Sequence, residues 1–225
     1  MEKDVQKSYL LPHKTGGRRS ETPAFITGRE FEVKLSLTSS VKYKNGVGEF
    51  NIETLISLFR LMSVLGGLGK RSRRGMGSFE IINPARQTPS DLDEICKLIN
   101  ACVVKKANEM KELYKISPTS DFIQFTDIQK KYDPEDYGML HRVEIGTNNK
   151  TPEKIGWATH DVKNSNNKEE YGATLGDGRP RFASPIIISI LPTQKPIVST
   201  LKTVSPNFRK VEMSLQKKLK DQILK

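Results

Sequence analysis

Hydrophobic and polar residues alternate from Phe31 to Thr38. Phe31, Val33, Leu35 and Leu37 fall on one side, and Glu32, Lys34, Ser36 and Thr38 on the other. A period of two predicts a strand with one buried face. From Asn51 the period lengthens: Ile52, Leu55, Ile56, Phe59 and Met62 recur at three- and four-residue steps. That spacing predicts a helix over 51–65, with Asn51 as its N-cap and Gly66 as a left-handed terminating residue. Gly77 to Ile82 alternates again and predicts a second strand. Strand, helix, glycine-rich loop and strand, in that order, predict an α+β fold with an antiparallel sheet covered on one face by helices.

A longer helical stripe begins at Ser90. Leu92, Ile95, Cys96, Ile99, Cys102 and Val103 share one apolar face, continued by Met110, Leu113 and Tyr114. Ser90 is the expected cap, Asp93 and Glu94 suit the positive end of the dipole, and Pro118 lies beyond the stop. The stretch 146–180 is rich in Asn, Lys, Gly and Glu and reads as a mobile polar insertion that contributes little core. Apolar strands are predicted at Ile186–Leu191 and Ile197–Val204. Ser205-Pro206 then opens an amphipathic helix. Its apolar stripe is Phe208, Val211, Leu215, Leu219 and Ile223, and Lys217, Lys218 and Lys220 lie on the other side. Docking on the chain's own sheet, with the lysines in water, is the expectation for this helix. Residues 1–28 read as a flexible arm, and 29–225 as one domain containing the polar insertion and the C-terminal helix.

The loop after the first helix changes the picture most. The segment Gly66–Gly77, GGLGKRSRRGMG, holds five glycines (Gly66, Gly67, Gly69, Gly75, Gly77), four cations (Lys70, Arg71, Arg73, Arg74) and no acid. Glycine lets backbone N–H groups approach a ligand that a Cβ would hold away. Clustered guanidinium forks suit phosphate oxygens. A P-loop is absent, because Lys70 follows Gly69 but position 64 is Val and position 71 is Arg. A dinucleotide fingerprint is absent too, since position 72 is Ser and the helix precedes the loop. Successive phosphates reward several cations in a row, so nucleic acid is the expected ligand. A second basic stretch with Gly172, Gly176, Gly178, Arg179 and Arg181 precedes the strand at Ile186, and Arg179 and Arg181 are further candidate RNA contacts.

Charge agrees with that direction. The 225 residues carry a formal charge of +11, which favours polyanions. No apolar run approaches the ~20 residues of a membrane span, and the start, MEKDVQKS, lacks the apolar region of a signal peptide. Two cysteines, Cys96 and Cys102, fit a core role in a reducing cytoplasm better than a disulfide framework. The lone tryptophan, Trp157, has two readings: a platform for a base, or an anchor holding the polar stretch to the domain, of which the anchor is the commoner.

The segment GGLGKRSRRGMGSFEI resembles the glycine-rich loop of the RAMP superfamily of CRISPR effector subunits, in particular those of type III-B (Cmr) complexes. Two further segments are similar in the same order: Tyr9-Leu10-Leu11 followed by Pro23 to Phe31 (PAFITGREF), and Arg181 to Ile186 (RFASPI). The resemblance runs from about Tyr9 onward. The family's opening strand and tryptophan-rich segment have no counterpart, which implies an N-terminal half that is separately encoded, supplied by a partner or lost. The resemblance also implies a ferredoxin-like (RRM-like) domain in which the loop precedes a core strand. Its implied partners are guide RNA, target RNA and other CRISPR effector subunits in the cytoplasm, with no membrane.

Catalysis is not expected. Some relatives in that superfamily cut guide precursors with histidine, and this chain has His13, His141 and His160. His160 precedes Asp161, a pairing that could hold a tautomer, but it lies in the polar stretch. No paired carboxylates or Cys/His cluster with metal spacing stand out, so no cofactor or metal is expected. The reading is a non-catalytic RNA-binding subunit. Its rivals are a superfamily endoribonuclease and a scaffold whose basic loop meets an acidic protein.

Overall fold

A computed structural model describes residues 30–42, 49–69, 72–102, 114–117, 119, 121–125, 139–163, 184–202 and 214–225. Five strands make one antiparallel sheet: β3 (Tyr114–Ile116), β4 (Phe122–Phe125), β5 (Met139–Ile145), β6 (Ile186–Ile190) and β7 (Pro196–Lys202). Their spatial order is β3-β4-β5-β7-β6. A separate two-residue ladder joins β1 (Val41–Lys42) to β2 (Glu49–Phe50). The described helices are α1 (Ile52–Leu65), α2 (Leu92–Cys102), α3 (Pro152–Lys163) and α4 (Ser214–Leu224). The chain is therefore α+β, as its periodicities predict.

The helices are not confined to one face of the sheet. Adjacent residues on a strand point to opposite faces, and β7 shows where each leads. Ile197 joins a core with Val64 of α1, Ile95 and Ile99 of α2, and Val143 of β5. Val198 joins a second core with Ile155 and Val162 of α3, Leu219 and Ile223 of α4, and Ile188 of β6. The sheet is thus sandwiched between α1–α2 and α3–α4. The reason is written in β6, Ile186-Ile187-Ile188-Ser189-Ile190: a continuous apolar run is the pattern of a strand covered on both sides.

The helix ends follow local chemistry. Thr54 N–H donates to Asn51 Oδ1 at 3.0 Å, so Asn51 caps α1 as its position predicts. Gly66 ends that helix with φ −144°, an extended rather than left-handed residue. Asp91, not Ser90, caps α2, accepting from Glu94 N–H at 2.8 Å; Glu94 returns a carboxylate oxygen to Ser90 N–H at 3.0 Å. On α4, Leu215, Leu219 and Ile223 are buried, so the helix docks on its own sheet. Two of its lysines are engaged there: Lys220 reaches Glu144 of β5 at 2.5 Å, and Lys218 reaches Asp161 of α3 at 3.0 Å. Glu144 is also held by Arg142 at 2.9 Å, which ties α4 to the sheet through a nearly buried carboxylate.

Several expected elements take other forms. Residues 31–37 belong to no ladder among the described residues, and Phe31 (59 %) and Val33 (43 %) are exposed. Val33 and Leu37 of this alternation stay exposed. Gly77–Ile82 is not a strand either. Phe79 turns back onto Phe59 of α1 with ring centroids 5.4 Å apart, and Phe31 lies 6.5 Å from Phe79. Ile82 remains 66 % exposed. Tyr114, placed by periodicity at the end of a long helix, begins β3: its N–H donates to Asn100 Oδ1 at 3.0 Å. The polar stretch after Gly146 contains α3, whose Ile155, Ala158 and Val162 are buried at three- and four-residue spacing. The remainder of that stretch, 164–180, the 1–28 arm, and the expected helix start at Ser205 lie outside the described residues.

Candidate nucleic-acid interface

The glycine-rich loop closes on itself before it meets anything else. Leu68 N–H donates to Gly77 O at 2.9 Å across its base. Gly69, Gly75 and Gly77 have φ of +83°, +75° and +73°, the left-handed region where a Cβ is strained. At Gly67 the need is for space, and at Gly77 for space as well as rotation. A Cβ on Gly67 would lie 3.0 Å from Gly77 O, so the two arms touch backbone to backbone.

The returning arm then seals the margin of the sheet. Arg74 bridges Ile188 of β6 in parallel register. Gly75 N–H donates to Ile188 O at 2.7 Å, and Ile188 N–H donates to Arg73 O at 3.0 Å. Ile190 N–H, next along the edge, is taken by Ser78 Oγ at 3.0 Å, which itself donates to Gly75 O. On the α1 side of the sheet, Ser189 Oγ donates to Gly66 O. On the opposite side, a Cβ on Gly75 would come within 2.9 Å of Ile155 Cδ1 in α3. The loop therefore wraps the β6 margin from one helical layer to the other. It occupies the sheet edge beside β6, and the turns at Gly75 and Gly77 carry the chain away from that edge, so the core strand expected at Gly77–Ile82 does not form.

This placement divides the expected cations. Arg73 is exposed, and its Nη1 donates to Ser184 O at 3.2 Å, leaving a guanidinium fork at the surface beside the start of β6. Arg74, which bridges Ile188, is only 8 % exposed and so is less open to a phosphate than Arg73. Lys70, Arg71, Arg179 and Arg181 lie outside the described residues. All five loop glycines, Gly66, Gly67, Gly69, Gly75 and Gly77, are among the described residues.

Periodicity and motif reading located the loop but not what stands beside it. Trp157 sits on α3, the helix that Gly75 touches, and is 48 % exposed. Its ring lies 5.9 Å from that of His160, edge to face, with an interplanar angle of 69°. Asp161, the neighbour that sequence reading paired with His160, is engaged instead by Gln222 and Lys218 of α4. These hydrogen bonds from Gln222 and Lys218 hold the Asp161 carboxyl below the usual carboxylate range. His141 lies on β5, a different element from His160, and His13 is outside the described residues. Cys96 is buried, and burial raises the Cys102 thiol pKa.

Among the described residues, no three His, Cys, Asp or Glu side chains gather as a metal-holding group, and no helix is long and apolar enough to cross a membrane. A scan against protein-family models, a search of curated proteins and a search of solved structures each return no match for this chain.

Proposed function

We propose that this chain is a non-catalytic RNA-binding subunit that holds a nucleotide backbone with the loop between α1 and the β6 margin. The observation that carries the reading is the loop's construction. Left-handed glycines and three margin hydrogen bonds fix its base, while Arg73 stays at the surface on an arm that contains no acid. A fixed base that leaves Arg73 exposed, in a segment whose sequence adds Lys70 and Arg71, suits phosphate contacts that position RNA without reading its sequence. Lys70, Arg71 and Arg73 are the phosphate contacts of this proposal.

The likeness of GGLGKRSRRGMGSFEI to RAMP loops supplies the finer proposal. The chain would act in a type III-B CRISPR effector, most like the first-numbered Cmr subunit, binding guide and target RNA beside other subunits in the cytoplasm, with its loop on a ferredoxin-like core. The exposed Phe31, Val33 and Ile82 are apolar surface that a partner subunit would cover. A separately encoded N-terminal half is one such partner.

The test is binding of a single-stranded RNA by the full chain and by the R71E/R73E variant. Charge reversal should abolish binding at moderate salt without altering the fold. Unchanged RNA affinity would overturn the reading. If the same variant failed to assemble with an acidic protein neighbour, the scaffold alternative would replace it.

A further inference from the structure

We propose that Trp157 and His160, on the outer side of α3, form a stacking platform for an unpaired nucleobase of the strand whose phosphates the loop holds. The inference rests on the RNA-binding reading and adds a base-contacting site to it.

Helix α3 buries Ile155, Ala158 and Val162, and position 157 falls on the opposite side of its turn. Core packing therefore does not explain the tryptophan, whose large apolar ring is left half in water. The ring is nonetheless braced. His160 stands one turn further along the same stripe and meets it edge to face, limiting the orientations it samples. An aromatic surface held in advance loses less freedom on binding than a free one.

The surrounding charge suits a nucleotide. Lys154 lies one turn before Trp157 and is exposed, within reach of an adjoining phosphate. The nearby acid, Asp161, has its carboxylate matched by Lys218 at 3.0 Å. The platform is also mechanically joined to the loop: Ile155, two residues before Trp157, packs against Gly75. Gly75 of the loop meets this helix at Ile155 while Trp157 lies on its outer side, so a strand engaging both would pass over α3. Stacking needs only a π-face, so the site tolerates any base and favours purines by their area.

Trp157 is the chain's single tryptophan, so its fluorescence reports this site alone. The full chain is titrated with an oligoadenylate of about ten nucleotides and, separately, with heparin, a polyanion without bases. Oligoadenylate should quench the emission and heparin should leave it unchanged while binding. Trp157→Ala should weaken oligoadenylate binding about tenfold and heparin binding not at all, and Trp157→Phe should restore most of the loss. Far-UV circular dichroism confirms that the exposed substitution leaves the fold intact. Oligoadenylate that binds without quenching, and equally well to Trp157→Ala, overturns the platform and leaves the loop's role standing. Failure of both polyanions to bind overturns the RNA-binding reading and the platform with it.

Discussion

The carbonyl oxygen of Leu68 stands where a side chain on Gly77 would begin: a Cβ there would lie 1.8 Å from it. Gly77 is also left-handed, with φ +73°. Gly69 shares the left-handed backbone at +83° but has nothing within 4 Å of a Cβ. The two glycines therefore separate rotation from space. Gly69→Ala should destabilise the fold by about 1 kcal/mol, the strain alone. Gly77→Ala should cost at least about 3 kcal/mol, because backbone must move as well. Urea unfolding of both variants checks this, and equal losses would show that the loop base is not closed as described.

Ser78 replaces a backbone acceptor at the sheet margin, taking Ile190 N–H at 3.0 Å. Ser78→Ala leaves that buried-edge donor without this partner and should cost about 1–2 kcal/mol. The more specific signature is in hydrogen exchange. The Ile190 amide should lose protection while the Ile188 amide, held by Arg73 O, keeps its own.

Tyr114 gives the fold an alkaline limit. Burial pushes its phenol pKa from 10 up to about 12, and its hydroxyl donates to Leu140 O at 2.9 Å. The folded state keeps the proton that the unfolded chain releases near pH 10. Stability from this group is therefore complete below pH 10 and lost as pH rises toward about 12, by about 2–3 kcal/mol in all. Urea unfolding at a series of pH values should show that decline, and Tyr114→Phe should flatten it while costing about 1 kcal/mol at neutral pH.

Salt should report how many cations meet phosphate. With Arg74 buried, three loop cations remain, and single-strand affinity should follow salt with a log–log slope of about −2. That is a loss of roughly twentyfold between about 50 and 200 mM. Arg73→Gln should make the slope shallower by about 0.7, whereas Arg74→Gln should leave it unchanged. Filter-binding or anisotropy titrations at several salt concentrations measure both.

Much of the local structure was legible because a single signal carried it. Asn51 before a helical stripe gave the cap and span of α1. The apolar runs of β6 and β7 and the apolar spacing of α4 gave their elements similarly. Strands β3 to β5 were missed because pairing across the sheet, rather than their own periodicity, defines them. Lys115, Gln124 and Arg142 sit at consecutive rungs among sparse apolar residues. Helix α3 was hidden by composition: Ile155, Ala158 and Val162 are enough to dock it, yet few enough to vanish in a polar stretch. For the loop, glycine and arginine content announced a cationic turn. Which arginine stays exposed depended on the bridge to Ile188, a contact over a hundred residues away in sequence.

That bridge also guards the rest of the molecule. The strand beneath it, Ile-Ile-Ile-Ser-Ile, is short, uncharged and rich in branched side chains, the composition of self-associating fibril cores. Shortening or unclasping the arm would leave it as an open template on which other copies could stack. Solubility would then fail through the strand beneath the loop and not through the loop itself.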